Sequence, residues 1–190
     1  MLDNIFSGPA IKGLYVDGRW QATPGQFDDL NPSDGTVWAQ VPDAGAAETR
    51  RAIEAAHRAF PAWSSLRFQE RAHFMLKIAD IWDKRAQDYV IAAQYEGGGS
   101  YGKGMFEAGH VSETFRAAAG LCYGAIGEIL PSQYGKVSTA VRVPTGVVGV
   151  ISPWNVPGIL TSRGFAFAMA TGNTIVLKPS EETPYAGGLF

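Results

Sequence analysis

Two short apolar segments in the last third of the chain each run directly into a cluster of polar residues and prolines. The segments cover residues 147–151 and 174–177. The clusters that follow are Ser152, Pro153, Trp154 and Asn155 after the first segment, and Lys178, Pro179, Ser180 and Glu181 after the second. The Asn155 amide can donate to a developing oxyanion, and Lys178 with Glu181 can bind neighbouring ribose hydroxyls. A turn asparagine and a surface ion pair explain the same residues equally well.

The stretch between the two segments predicts how these clusters are positioned. Residues 160–170 are apolar and long enough for a helix, so the region predicts strand, helix and strand. Polar groups after both strands would then lie together at the carboxyl edge of an open α/β sheet, where such sheets bind ligands. Residues 147–151 are nearly all apolar, which predicts a strand buried on both faces. The alternation in residues 138–143 predicts a strand with one exposed face.

The first part of the chain predicts two hairpins. Asp17 and Gly18 separate two short segments that carry aromatic residues, and this dipeptide suits a type I′ turn. A second pair of strands is predicted over residues 27–31 and 36–41. Strands this short are expected to cover the edge of something larger.

Apolar residues at helical spacing predict three helices between the hairpins and the strand segments. They cover residues 45–60, 68–96 and 106–123. We expect Pro61 to end the first helix, and we expect the second to consist of two helices joined near Lys84. Together with the strands, these helices predict the α/β class, with a helical layer beside the start of a Rossmann-like parallel sheet.

Composition excludes several classes of protein. The chain has 190 residues, 46% of them hydrophobic, and a net charge of −2, so it offers no polycation for nucleic acid or a membrane surface. One cysteine, Cys122, and three histidines give no zinc site with a usual ligand set unless carboxylates complete it, and they give no intrachain disulfide. Residues 1–13 lack the pattern of a secretory signal, and no apolar run reaches membrane-spanning length. We expect a soluble, cytoplasmic protein.

A glycine cluster between the second and third predicted helices matches two phosphate-binding motifs in the spacing of its residues. Gly97, Gly99 and Gly102 fit G-x-G-x-x-G, and Lys103 completes most of a P-loop. However, Gly104 stands where a P-loop has its Mg²⁺-binding hydroxyl, and a helix is predicted where both motifs need a strand. A helix-to-helix connection is therefore favoured. Cys122 on an apolar helix face is expected to be a core residue.

The segment over residues 143–184 resembles the NAD(P)-dependent aldehyde dehydrogenase superfamily. The resemblance rests on P-T-G-V-V-G-V-I-S-P-W-N-V-P, followed by A-x-A-x-A-T-G-N-T-I-V-L-K-P-S-E-E-T-P. Weaker matches continue upstream, so the whole chain aligns in outline with the amino-terminal part of that family. It is most similar to the benzaldehyde, vanillin and salicylaldehyde dehydrogenase branch.

The resemblance implies an enzyme that oxidises an aldehyde to a carboxylic acid through a cysteine thiolate, hydride transfer to NAD(P)⁺ and a glutamate-activated water. Asn155 matches the oxyanion-hole asparagine. The residues that match the cofactor-binding set are Ile151, Ser152, Pro153, Trp154, Lys178, Ser180 and Glu181. Gly158 and Arg163 would border the substrate channel, with Gly158 making room for a planar ring. Glu181 favours NAD because its carboxylate would repel a 2′-phosphate, although NADP remains an alternative.

The resemblance also implies a division of the chain and a truncation. Residues 1–125 would form hairpins and a helical layer, residues 126–144 oligomerisation strands, and residues 145–190 an incomplete first βαβ unit. The family's nucleophilic cysteine and general-base glutamate lie downstream of the Lys-Pro-Ser-Glu motif, beyond Phe190, and Cys122 does not replace that cysteine. We therefore expect an inactive fragment of a homodimeric or homotetrameric enzyme with a small aldehyde substrate. The alternative is a standalone nucleotide-binding or regulatory module that associates with full-length subunits.

Overall fold

The computed structural model describes residues 13–190, so the prediction about a secretory signal concerns a segment that lies almost wholly outside the described residues. In chain order the elements are β1 (Leu14–Val16), β2 (Arg19–Gln21), β3 (Gly25–Leu30), β4 (Val37–Asp43), α1 (Ala46–Ser64), α2 (Phe68–Gly97), α3 (Tyr101–Leu121), β5 (Gly127–Leu130), β6 (Ser138–Val141), β7 (Val147–Ile151), α4 (Pro157–Ala170), β8 (Thr174–Lys178) and α5 (Pro184–Gly188). This mixture of helices and strands confirms the predicted α/β class. None of these helices combines the length and hydropathy that a bilayer crossing requires.

The strand–helix–strand prediction is confirmed. β7 and β8 pair in parallel, with α4 as the connection between them. Val147 lies opposite Thr174, and Ile151 lies opposite Lys178. Both strands therefore end at the same edge of the sheet, where the Ser152 amide donates to the Lys178 carbonyl at 3.0 Å. The two polar clusters follow from this edge.

The predicted burial of β7 on both faces is wrong within the described chain. Val150 is buried, whereas Gly149 is exposed and Ile151 keeps 82% of its surface exposed. Alternate residues of a strand point to opposite faces. Helix α4 covers the Val150 face so closely that a Cβ on Gly164 would lie 2.7 Å from a Val150 methyl carbon. The face that carries Gly149 and Ile151 is therefore open to solvent at the end of β7.

Residues 13–190 form three antiparallel hairpins, and the two hairpins predicted in the first part of the chain are both present. β1 pairs with β2 through Asp17 and Gly18, whose φ angles of 57° and 74° are both positive, as a type I′ turn requires. β3 pairs with β4, and β5 with β6. The strand predicted over residues 138–143 is present as β6, and most of its residues are exposed.

The prediction that Pro61 ends the first helix is wrong: α1 continues through Pro61 to Ser64. A proline inside a helix removes one backbone hydrogen bond. The last turn of α1 is held by tertiary contacts instead, since the Trp63 indole N–H donates to the Met169 carbonyl at 3.0 Å and its ring packs against Phe74. The sequence pattern around Pro61 contains none of this information.

Helix α2 is one helix of 30 residues and not two helices joined near Lys84. Packing against α3 supports it through the region of the predicted break, where the Trp82 indole N–H donates to the Ala108 carbonyl at 3.0 Å. α3 begins at Tyr101, earlier than predicted, because the Ser100 hydroxyl caps it by accepting from the Lys103 amide at 3.2 Å.

The hydrophobic core lies where α2, α3 and α4 pack together. Its completely buried members come from all three helices and include Met75, Tyr89, Val111, Phe115 and Ala166. The strand pair β7–β8 contributes to the same core, because half-buried Val148 and Leu177 pack against it. The core therefore connects the helical layer directly to the edge that carries the polar clusters.

Candidate functional site

Asn155 lies in the exposed loop between β7 and α4. Within residues 13–190 no hydrogen bond engages its side chain, so the amide NH₂ is free to donate to a ligand. Trp154 beside it keeps 60% of its surface exposed, and Pro153 is exposed as well. Together with Ile151 they present apolar surface at the strand end, next to a free amide donor.

The loop that carries Asn155 is anchored where it leaves β7. The buried Ser152 hydroxyl forms a hydrogen bond with the buried Thr161 hydroxyl on α4. The Ser152 backbone is fixed as well, by the bond from its amide to the Lys178 carbonyl. Ser152 is thus a buried structural member of the strand end, whereas its neighbours in the loop are exposed.

A second anchor holds the loop where it enters α4. The Gly158 amide donates to the Tyr89 hydroxyl at 3.0 Å. Tyr89 is fully buried on α2, and its hydroxyl donates to Glu107 Oε2. Lys103 Nζ donates to the other oxygen of the Glu107 carboxylate. Burial first, and the Glu107 carboxylate second, raise the pKa of Tyr89, so its hydroxyl keeps its proton and remains a donor.

The space beside Gly158 is filled by protein. A Cβ on Gly158 would lie 2.7 Å from the ring of Tyr89. The planar ring for which Gly158 makes room is therefore the Tyr89 phenol, which corrects the expectation that the glycine opens this space to a substrate ring. Arg163 is exposed on α4, and no ion pair or hydrogen bond within residues 13–190 engages its guanidinium. A position of either residue on a substrate channel stays a prediction.

Lys178, the last residue of β8, and Glu181, three residues later, face each other. The Lys178 ammonium lies 2.7 Å from Glu181 Oε2, and both side chains are mostly exposed. The hydrogen bond from Lys178 lowers the pKa of Glu181, so this carboxylate is ionised at neutral pH. Ser180 between them is buried, and its hydroxyl accepts from the Glu182 amide at 3.2 Å. The structure thus brings together, at one sheet edge, the two clusters that the sequence places 23 residues apart from Asn155 to Lys178.

Asn173 shapes the other end of this unit, and residue-level reasoning did not identify it. Its side-chain oxygen accepts from the backbone amides of Thr145 and Gly146 at 2.7 and 3.1 Å, and its NH₂ donates to the Ala168 carbonyl at 3.0 Å. It therefore ties the start of β7 to the end of α4. The sequence signal that could have identified Asn173 is its position in the A-T-G-N-T segment, which is part of the family resemblance. Tyr89 and Glu107 were also missed, and they lie in unremarkable helical sequence.

The other candidates have structural roles. The glycine cluster connects two helices, as predicted, with Gly98 at a φ of 59° directly after α2. Cys122 is buried, and its thiol donates to the carbonyls of Ala118 and Ala170. Burial raises the pKa of the Cys122 thiol, which disfavours the thiolate. Among residues 13–190, no group of three or more histidine, cysteine, aspartate and glutamate side chains could hold a metal ion.

Comparisons with known proteins agree with this arrangement. The family model described as "Aldehyde dehydrogenase family" matches residues 20–190. The chain is 35% identical over 182 residues to benzaldehyde dehydrogenase [NAD(+)] of Pseudomonas putida, covering 95% of this chain and 37% of that protein. It is 37% identical over 178 residues to glutarate-semialdehyde dehydrogenase of Pseudomonas aeruginosa, covering 90% of this chain and 36% of that protein.

A solved structure shows the same fold. The NAD-dependent benzaldehyde dehydrogenase from Corynebacterium glutamicum superposes with a TM-score of 0.91 at 31% identity, over 97% of this chain and 41% of that one. The chain thus spans well under half the length of these relatives. Because the family model covers nearly all of the described residues, including both polar clusters, the chain belongs to the aldehyde dehydrogenase family.

Proposed function

We propose that this chain supplies the oxyanion donor and the coenzyme-ribose groups of an NAD-dependent aldehyde dehydrogenase that acts on an aromatic aldehyde. The observation that carries the proposal is the register of β7 and β8. Ile151 lies opposite Lys178, so both polar clusters begin at the same edge of the parallel pair. Crevices at the carboxyl edge of parallel strands are where α/β sheets bind nucleotides.

The residues at this edge fit NAD in their chemistry. Lys178 can donate to one ribose hydroxyl and the Glu181 carboxylate can accept from its neighbour, so the ion pair found here offers a matched donor and acceptor. The exposed apolar surfaces of Ile151 and Trp154 offer contact area beside them. When bound, NAD⁺ supplies the hydride acceptor, and the chain's own part is to bind and orient it.

Asn155 is the group that would act on the aldehyde. As the carbonyl carbon is attacked, negative charge develops on its oxygen, and a fixed amide donor stabilises that charge more than it stabilises the neutral carbonyl. The nucleophile is assigned to residues outside this sequence, because Cys122 is buried and burial raises the pKa of its thiol. We therefore expect the 190-residue chain by itself to be inactive.

The β5–β6 hairpin is proposed to meet another subunit. Its apolar side chains are exposed, with Ile129 at 80% and Val141 at 55% of their full accessible surface. Exposed apolar strands of this kind mark interaction surfaces. Residues 126–144 would then be the oligomerisation segment of a homodimer or homotetramer.

The aromatic preference is supported by relatives named for benzaldehyde, whereas a relative of similar identity is named for glutarate semialdehyde. Substrate competition decides between them. The protein is purified as the whole gene product that contains this sequence. Its activity is measured by NADH absorbance with benzaldehyde, vanillin and glutarate semialdehyde. We expect higher kcat/KM for the two aromatic aldehydes. A preference for the aliphatic semialdehyde would contradict the aromatic assignment and leave the reaction type intact.

The role of Asn155 is tested in the same assay. Asn155→Ala should lower kcat by about 10²–10³, the usual effect of removing one oxyanion donor. Gln69→Ala, at an exposed site at the start of α2 and away from the sheet edge, is the matched control and should leave kcat unchanged. A kcat within twofold of the wild type for Asn155→Ala would overturn the proposed function. Micromolar NAD⁺ binding by a monodisperse 190-residue chain would favour a standalone nucleotide-binding module instead.

A further inference from the structure

Helix α4 begins without a cap of its own. Val156 stands at the N-cap position and has no polar side chain, and Pro157 after it has no backbone N–H. Side-chain oxygens normally satisfy the free amides at the start of a helix. The first of these amides in α4 belongs to Gly158, and its acceptor is the Tyr89 hydroxyl, 69 residues earlier in the chain. A residue of α2 therefore caps the helix that follows the Asn155 loop.

We infer that Tyr89, held by Glu107, is a positioning residue for Asn155. The inference rests on the proposed function, because it takes Asn155 as the oxyanion donor. Tyr89 would contact neither substrate nor coenzyme. It would act by fixing the first turn of α4, and with it the backbone of the loop that ends there.

The position of the Tyr89 hydroxyl is closely determined. It donates to Glu107 and accepts from Gly158, so its proton and one lone pair are both used. Glu107 is buried and is held in turn by Lys103. The ring cannot move toward α4, because it already lies against the Gly158 Cα, where even a methyl group would collide with it. The cap is therefore rigid.

Two anchors enclose the loop, and Asn155 lies between them. Ser152 is bonded to Thr161 at one end, and Gly158 is bonded to Tyr89 at the other. Only Val156 and Pro157 separate Asn155 from the second anchor, and proline fixes its own φ. Release of the Gly158 amide would let the first turn of α4 fray and would move the Asn155 amide. A displacement of about 1 Å at a reacting centre can cost about 10² in rate.

A double-mutant cycle tests the inference in the gene product that carries this sequence. Tyr89→Phe removes only the hydroxyl and should lower kcat about tenfold while KM changes less than twofold. In the Asn155→Ala background the same substitution should have no further effect on kcat, because the residue acts only through Asn155. Tyr101→Phe, an exposed tyrosine on α3, is the control and should leave kcat unchanged.

Amide hydrogen exchange gives a second readout that does not depend on catalysis. In the 190-residue chain, Tyr89→Phe should make the Gly158 amide exchange at least tenfold faster, with the core amide of Val111 unchanged. Glu107→Gln alters the hydrogen bond of the Tyr89 hydroxyl without removing that hydroxyl, so it should accelerate Gly158 exchange less than Tyr89→Phe does. If Tyr89→Phe does not fold, Glu107→Gln is measured in its place.

The outcomes separate the inference from the proposed function. A normal kcat for Asn155→Ala contradicts the proposed function. A large effect of Asn155→Ala combined with an additive loss from Tyr89→Phe contradicts the inference alone. Unchanged Gly158 exchange in Tyr89→Phe also overturns the inference, whatever the activity.

Discussion

The Lys178 ammonium lies 2.7 Å from Glu181 Oε2, at the end of the strand that pairs with β7. This contact lowers the pKa of Glu181 and keeps its carboxylate charged at neutral pH. A bound ribose would meet one donor and one acceptor already side by side. A 2′-phosphate on that ribose would meet a negative charge, which Lys178 offsets only in part.

Coenzyme choice should therefore depend on Glu181. Glu181→Gln keeps a hydrogen-bonding side chain of the same size and removes the charge that would repel the phosphate. We expect the ratio of kcat/KM for NADP⁺ to that for NAD⁺ to rise about tenfold or more. The measurement is initial-rate NAD(P)H formation with each coenzyme. Glu182→Gln, the adjacent exposed glutamate, should leave the ratio unchanged, and an unchanged ratio in Glu181→Gln would contradict the assignment.

Gly158 should be intolerant of even a methyl group. Gly158→Ala places a Cβ 2.7 Å from the Tyr89 ring in a packed core, so we expect a loss of about 1–3 kcal/mol in the free energy of unfolding. Gly109→Ala is the matched control on helix α3, where a Cβ meets nothing within 4 Å, and it should add about 0.5–1 kcal/mol. Urea denaturation followed by circular dichroism measures both. Normal stability of Gly158→Ala with activity lost only toward large aldehydes would instead favour a channel role.

Local sequence patterns predicted the part of the fold that carries the site. Two short apolar segments, residues 147–151 and 174–177, are each followed within two residues by proline. This local combination indicates the end of a strand without any information from the rest of the chain. Asp17 with Gly18 likewise determined a turn by local geometry alone. The placement of Asn155, Lys178 and Glu181 at one sheet edge could be predicted because the strands that position them are recognisable from local sequence.

The features that sequence patterns missed depend on contacts between distant segments. Pro61 lies inside a helix because Trp63 binds the end of α4, more than a hundred residues away. The break expected near Lys84 is absent because α3 packs along α2 there. The sequence around Tyr89 gives no sign of its role. That role depends on a hydrogen bond from the Gly158 amide, 69 residues later in the chain, which helical periodicity cannot predict. The burial of β7 was overestimated because an apolar strand sequence does not report which neighbours cover it.

Cys122 should react slowly with electrophiles and be dispensable. Its thiol is buried, and burial raises its pKa, so both access and thiolate fraction are low. Alkylation of the 190-residue chain by iodoacetamide at pH 8 should be at least tenfold slower than that of free glutathione, and the two rates should converge in urea. Cys122→Ala in the catalytically assayed gene product should keep kcat within twofold. Loss of activity in a folded Cys122→Ala variant would contradict the core assignment.

Glu96 should make the fold less stable as pH rises. It is buried at the end of α2 and accepts from the backbone amides of Tyr185 and Ala186, the latter at 2.7 Å. The carboxyl group of Asp29 faces it from β3, and Glu182 adds further negative charge beside Asp29. Burial, and then the contact with Asp29, raise the pKa of Glu96 well above its ordinary value of 4.5, although the two backbone amides oppose this shift, so the folded chain keeps the Glu96 proton to a higher pH than the unfolded chain does.

The sign of the pH effect follows from this shift. Stability contributed by a group whose pKa rises on folding is complete below its ordinary value, here 4.5, and is lost as pH rises through the folded value. Glu96→Gln is neutral at every pH. The free energy of unfolding of the wild type minus that of Glu96→Gln should therefore fall with pH, by at most about 1.4 kcal/mol per unit.

Urea titrations between pH 4.5 and 8 measure that difference. Asp29→Asn should reduce the slope without removing it, because burial is the larger cause of the raised Glu96 pKa and the Asp29 contact is the smaller one. The exposed Glu113→Gln, which leaves the buried pair intact, should keep the slope of the wild type. If the difference between the wild type and Glu96→Gln stays level or grows with pH, folding does not raise the pKa of Glu96 and the prediction is contradicted.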